Sequence, residues 1–306
     1  MGFGAWRVSL RAGAALIGGL ETAAVQRKPF QSGVEVIAVA ATVRDKDNRL
    51  VKGLPRDAFE VYDDGQRQAI TQFTSERVPV SLGVLVDVSD SMFGQRIVDA
   101  RAAVDRFLLE LLNPSDEFFV LAFNHAPRIL TGWTNSPARV RQALDELRPS
   151  GGTAEYDAIL AALPLFAMRS KPRASLLLIT DGADTASDAK LRDVRGAMLQ
   201  SEAFAYAIAI DPPERVPINT RVNVVALRDV TDNGGGRTEV VRNSADLVAA
   251  TADIAEELNS QYVLGYNAPR APDGQFHSIR VAIPGGEYRV RARKGYVATP
   301  LAGPPR

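Results

Sequence analysis

The chain contains no cysteine and only two histidines, His125 and His277. The first absence removes disulfides, thiolate metal sites, cysteine nucleophiles and a lipid-modified N-terminal cysteine together. The two histidines stand far apart and lack the spacing of a zinc motif, so oxygen atoms are the ligands left for a metal. There is no excess of charge of either sign, since 36 Lys and Arg balance 36 Asp and Glu. No global field therefore favours nucleic acid or an anionic membrane, and charge-selective binding has to be local. Beyond the N-terminal region no uninterrupted apolar run approaches bilayer-spanning length, so the expectation is a mature protein without stable membrane insertion.

What is present is enough apolar sequence, 46% of 306 residues, to bury one large core and still carry a smaller second domain. Residues 1–25 have the layout of a secretory leader: Arg7 and Arg11, then the mildly apolar stretch Ala12 to Leu20, then small residues near Ala24. Export to the periplasm or medium is the expectation; if this stretch is not a signal but a disordered leader or a mispredicted start, the chain stays cytoplasmic. Residues 33–76 read as short strands: a β-branched run from Val34 to Val43, Ala58 to Tyr62, the hairpin-type turn Asp63-Asp-Gly65, and Gln68 to Phe73.

From Pro79 the rhythm changes. Continuous apolar strands at Ser81–Val88, Glu117–Phe123, Ala174–Thr180 and Ala203–Ile210 alternate with helical patterns at Gln95–Leu112, Pro137–Leu147, Ala154–Met168, Leu191–Gln200, Val222–Thr231 and Ala245–Leu258. Pro127–Thr131 and Gly236–Val241 read as edge strands. This order predicts an α/β domain over residues 79–259, with helices wound on both faces of a mostly parallel, Rossmann-like sheet. Residues 260–298 return to alternating strands at Gln261–Tyr266, Phe276–Ile283 and Tyr288–Arg293. Either this β-rich segment folds with residues 33–76 into one sandwich, or each packs separately on the central domain. Pro300 to Arg306 reads as a frayed tail.

Three short segments carry chemistry. Asp87-Val-Ser-Asp-Ser91 sits where a strand hands over to a helix, Gly151-Gly-Thr153 precedes a helix, and Thr180-Asp-Gly182 closes another strand. In open parallel sheets ligands bind beyond the carboxyl ends of the strands, so the three are expected to converge. Together they present Asp87, Ser89, Ser91, Thr153 and Asp181, an all-oxygen set suited to a hard cation such as Mg²⁺, with Mn²⁺ or Ca²⁺ as the other choices. Two carboxylates balance a divalent ion while hydroxyls bring no full charge, so the ion retains an affinity for one more anion.

These segments resemble the metal-ion-dependent adhesion site (MIDAS) of von Willebrand factor type A (VWA) domains, with all five positions of that pattern filled. The resemblance covers about Val80 to Leu258. It implies that Ser89, Ser91 and Thr153 touch the ion through their hydroxyls, and that Asp87 and Asp181 bind directly or through water. It further implies a cation-dependent protein-binding module, not an enzyme, that captures an Asp or Glu of a partner. More weakly, Asp57 to Gly65, Tyr262 to Tyr266 and the Arg293-Lys-Gly-Tyr296 ending resemble the flanks of exported VWA-related proteins of Acidobacteria.

Competing readings attach to the same residues. D-x-S-x-S alone is common helix-cap chemistry. A strand ending in Asp is similar to haloacid-dehalogenase-type phosphotransferases, but the second Asp of that pattern is here Ser89, and no nucleophile elbow or phosphate-cradling loop occurs. A metal-dependent hydrolase or phosphotransferase is thus the enzymatic alternative, and a scaffold whose cation only rigidifies three loops is the structural one. Asp90 and Asp184 read as solvated loop residues, His125 as a surface residue, and Arg291 to Lys294 as the exposed face of a strand.

Overall fold

The computed structural model describes residues 36–108, 113–211 and 221–298, so the expected leader (1–25) and the tail from Pro300 lie outside the described residues. Alternation at the start gives β1 (Val36–Arg44), which buries Ile37, Val39, Ala41 and Val43. Next come β2 (Glu60–Asp63) and β3 (Gln66–Gln68). Between them Asp64 and Gly65 take φ of 46° and 79°, the left-handed pair that a tight hairpin turn requires. The single strand expected over Gln68–Phe73 is instead two. After Ala69 the chain leaves β2 and becomes β4 (Ile70–Thr74), which pairs in another sheet.

The central domain contains β5 (Val80–Asp87), α1 (Gln95–Arg106), β6 (Glu117–Phe123), β7 (Pro127–Thr134), α2 (Pro137–Asp145), α3 (Glu155–Ala162), β8 (Arg173–Thr180), α4 (Leu191–Gln200), β9 (Phe204–Ile210), α5 (Val224–Asn233), β10 (Arg237–Val241) and α6 (Ser244–Asn259). Its six strands run in the order β10-β9-β8-β5-β6-β7, all parallel except β7, which returns antiparallel along β6. Every residue of β5, β8 and β9 is buried, as expected of strands covered on both faces. Leu82, Val84 and Val86 share a core with α1, α2 and α6 on one face. Leu85, Phe119, Leu121 and Phe123 pack with α3, α4 and α5 on the other. Gly83 lets the sheet hold Phe119, since a Cβ there would lie 2.4 Å from the ring's Cζ. The helix expected to reach Met168 ends at Ala162 and tightens into a 3-10 stretch over Leu163–Met168, because Pro164 cannot donate to an α-helical ladder.

The chain closes with β11 (Tyr262–Asn267), β12 (Phe276–Ala282), β13 (Arg289–Ala292) and β14 (Gly295–Val297). Strands from both ends of the chain interleave in two four-stranded sheets, ordered β13-β1-β11-β4 and β14-β12-β2-β3. They enclose one core of Val39, Phe59, Val61, Tyr262, Leu264, Tyr266 and Ile279, among others. A buried ion network ties these strands to α6. Glu257, fully buried, accepts from Arg44 of β1 at 3.0 Å, from Arg291 of β13 and from Tyr206 of β9 at 3.0 Å, and pairs with Arg237 of β10 at 3.1 Å. Arg293 also departs from the solvated face expected of it: it is 9% exposed and donates to the Ala38 carbonyl at 3.0 Å. Arg291, two residues earlier, is turned toward α6, where it donates to Glu257.

Candidate metal centre

β5 and β8 are neighbours in the sheet, and their carboxyl ends deliver Asp87 and Thr180-Asp181 side by side. Backbone bonds then stitch the loops together. Ser150 N donates to the Val88 carbonyl (2.9 Å), Asp90 N to the Gly151 carbonyl (2.9 Å), and Thr185 N and Ala186 N to the Thr153 carbonyl (2.8 and 3.0 Å). Ala154 N donates to the Asn124 carbonyl at 2.5 Å, which fixes the start of α3 to the end of β6. Asp184 is more than a solvated loop residue, since it accepts from the Tyr156 amide at 3.0 Å in the first turn of α3. His125 is exposed and lies against Gly151, whose Cβ, if present, would sit 3.1 Å from His125 Nδ1.

Within this frame the predicted side chains face one another. Asp87 Oδ1 accepts from the Ser89 amide (2.8 Å) and Oδ2 from the Thr180 hydroxyl (2.6 Å). Ser89 Oγ and Ser91 Oγ lie 3.0 Å apart, and the Ser91 hydroxyl donates to Asp181 Oδ1 at 2.6 Å. Thr153 Oγ1 and Ser91 Oγ border the same small space in front of Gly182, where a Cβ would come within 3.2 and 3.7 Å of them. Neither serine caps a helix: Ser89 makes no side-chain cap bond to the 3-10 turn over Asp90–Met92, and α1 is preceded by Gly94. Arg96 was not anticipated at the site. Its Nη1 donates to Asp181 Oδ2 (3.0 Å) and to the Ser91 carbonyl (2.8 Å).

Electrostatically the centre is a buried cluster of carboxyl groups, for which burial makes the charged form costly. Burial pushes Asp87 up to about 6, against the hydrogen bonds from Thr180 and Ser89 that favour its charged form. Burial likewise raises Asp181, opposed by Ser91 and Arg96. Glu155, the first residue of α3 and 3% exposed, is driven well above the usual carboxylic range by burial and by the nearby Asp184 and Asp87. Carboxylates so placed are stabilised by a cation, and the donor set is oxygen only. With its proton directed at Asp181, Ser91 keeps lone-pair density for an ion. Thr153 and Ser91 turn their hydroxyl oxygens toward the same side of Gly182, so the donor chemistry of these residues fits a hard divalent cation.

Residues 82–183 match the family model described as the von Willebrand factor type A domain, a span that contains all three loops. The central domain is a VWA domain. No curated protein matches the chain. Among solved structures, an aerotolerance-related membrane protein from Bacteroides fragilis is 20% identical, with a TM-score of 0.50 over 59% of this chain and 98% of that one. BatB from Bacteroides thetaiotaomicron is also 20% identical, with a TM-score of 0.50 over 58% and 97%. A von Willebrand factor type A protein from Catenulispora acidiphila is 15% identical, with a TM-score of 0.53 over 88% and 75%. At these identities the likeness is one of fold. No helix among the described residues is long and apolar enough to cross a membrane.

A second polar cluster lies outside the VWA domain, in the flanking sheets. Asp63, Asp64 and His277 bring potential ligand atoms within 4.8 Å of one another. Sequence reading missed it because β2 and β12 are distant in the chain and meet only through their pairing. Here the cation is already supplied by protein: Arg270 pairs with Asp63 at 3.0 Å and with Asp64 at 2.7 Å, and contacts His277 Nδ1. Tyr266 and Tyr296 donate to Asp63 at 2.7 and 3.0 Å. His277 also reaches Asp273 at 3.0 Å and Asp64 at 2.8 Å, and these contacts raise its pKa, Asp273 foremost. The cluster is therefore an ion network in which Arg270 already sits between the acids.

Proposed function

We propose that the VWA domain binds one divalent cation, Mg²⁺ or in its place Mn²⁺ or Ca²⁺, and uses it to capture an Asp or Glu side chain of a protein partner. Ser89, Ser91 and Thr153 would hold the ion through hydroxyl oxygens. Asp87 and Asp181, each already engaged by hydrogen bonds on both oxygens, would act directly or through bound water. The observation that carries this reading is the shared space before Gly182, which Thr153 and Ser91 approach from two loops while Ser89 and Asp181 bond to Ser91. A divalent ion there keeps coordination positions for water or for an incoming carboxylate. Phe93, 79% exposed and two residues from Ser91, offers an apolar contact beside the captured acid.

The reading is of a binding module and not an enzyme. Asp87, the residue a phosphotransferase would use as nucleophile, has one carboxylate oxygen on the Ser89 amide and the other on Thr180. Export to the periplasm or medium is part of the proposal and rests on the composition of residues 1–25. It is compatible with the membrane protein named among the structural neighbours. Balanced charge gives no field that would favour nucleic acid as a partner.

The test is affinity capture from native extract, with and without chelator, using the wild-type protein, Asp87→Ala and Thr153→Ala. Capture should require the cation and be lost in both variants, while far-UV circular dichroism stays unchanged. Capture that survives chelation contradicts the proposal. Chelation that lowers the melting temperature but leaves capture intact indicates a purely structural ion, and phosphate-ester turnover lost in Asp87→Asn indicates an enzyme.

A further inference from the structure

Arg96 is the second residue of α1, and its guanidinium bridges two parts of the centre, the Ser91 carbonyl and Asp181 Oδ2. The Asp181 side chain is fully buried and that of Arg96 is 23% exposed, so this is an ion pair with a buried acidic half at the rim of the site. Asp181's other oxygen holds the Ser91 hydroxyl. One carboxylate thus serves the serine that would ligate the ion and a permanent positive charge at the same time. An arginine at this position cannot relieve the conflict by losing its proton.

We infer that Arg96 sets the charge balance of the ion site, weakening its hold on the cation and strengthening the bound cation's hold on the partner's carboxylate. The inference rests on the cation-binding reading given above. Asp87 and Asp181 contribute two negative charges, which would neutralise a divalent ion completely. Arg96 adds one positive charge next to Asp181, so the loaded centre carries one more positive charge than it would without this residue, at a partly exposed surface. That added charge repels the entering ion and attracts an external anion. The position trades cation affinity for partner affinity.

The experiment is a calorimetric Mn²⁺ titration of the full chain, as wild type, Arg96→Gln and Arg96→Lys. It is followed by anisotropy measurements of a fluorescent oligoglutamate peptide on the Mn²⁺-saturated proteins. Removing one positive charge beside a divalent ion in a half-screened site should tighten Mn²⁺ binding about tenfold. Arg96→Gln should therefore bind Mn²⁺ more tightly and the peptide more weakly. Arg96→Lys, which keeps the charge but loses the planar fork, should stay near wild type in both. A residue that merely braced the Ser91 loop would behave differently, with Mn²⁺ affinity falling in Arg96→Gln. Unchanged or weaker Mn²⁺ binding in Arg96→Gln, with a wild type that binds, overturns the inference alone. A wild type that takes up no Mn²⁺ overturns the cation reading with it.

Discussion

A hydroxyl can ligate a cation only when its own proton points elsewhere, and the acids of this centre provide that direction. Asp181 takes the proton of Ser91, and Asp87 holds the Ser89 amide and the Thr180 hydroxyl. Gly182 matters for what it omits, because any side chain there enters the space bordered by Thr153 and Ser91. Gly182→Ala should accordingly lower Mn²⁺ affinity at least about tenfold while costing no more than about 1–3 kcal/mol of stability by overpacking. Titration calorimetry and a denaturant melt on the same protein check both halves. Asp87, Ser89, Ser91, Thr153 and Asp181 were legible as candidates because their chemistry resides in residue type and in position at strand ends. Arg96 was not legible, since an arginine in the first turn of a helix reads as a solvated residue until its partner across the fold is known.

Among the elements, β5, β8 and β9 were readable as buried strands, because a continuous apolar run of that length has to be covered on both faces. Alternating segments were less informative. The run from Gln68 to Phe73 fits one strand by pattern, yet it divides between two sheets at Ala69, and nothing local records which partner each half will find. The basic stretch at Arg291 and Arg293 is ambiguous for a related reason: its periodicity is that of a strand, but which face meets solvent depends on contacts with β1 and α6. Glu257 is the clearest case of an element held by distant charges. It lies fully buried on α6 and gathers Arg44, Arg237 and Arg291 from three strands. Glu257→Ala leaves those arginines partly uncompensated in the interior, and the expected loss is about 3–5 kcal/mol by denaturant unfolding. A loss under about 1 kcal/mol would mean that water reaches the network and screens it.

On the scale of the whole described chain, the VWA domain is bracketed by strands that share one core, so Ala41 and Tyr262 pair across β1 and β11 although the entire α/β domain lies between them in sequence. This architecture yields two clusters of potential ligands. In the flanking sheets Arg270 already pairs with both Asp63 and Asp64 beside His277. At the sheet's carboxyl end, Asp87 accepts from the Ser89 amide and the Thr180 hydroxyl, while Asp181 accepts from the Ser91 hydroxyl and pairs with Arg96. The difference predicts where an ion goes. An anomalous difference map from crystals grown with Mn²⁺ should show one strong peak about 2.0–2.4 Å from hydroxyl oxygens of Ser89, Ser91 and Thr153. No peak there at millimolar Mn²⁺, or a peak at Asp63, Asp64 and His277 instead, would contradict the proposed centre.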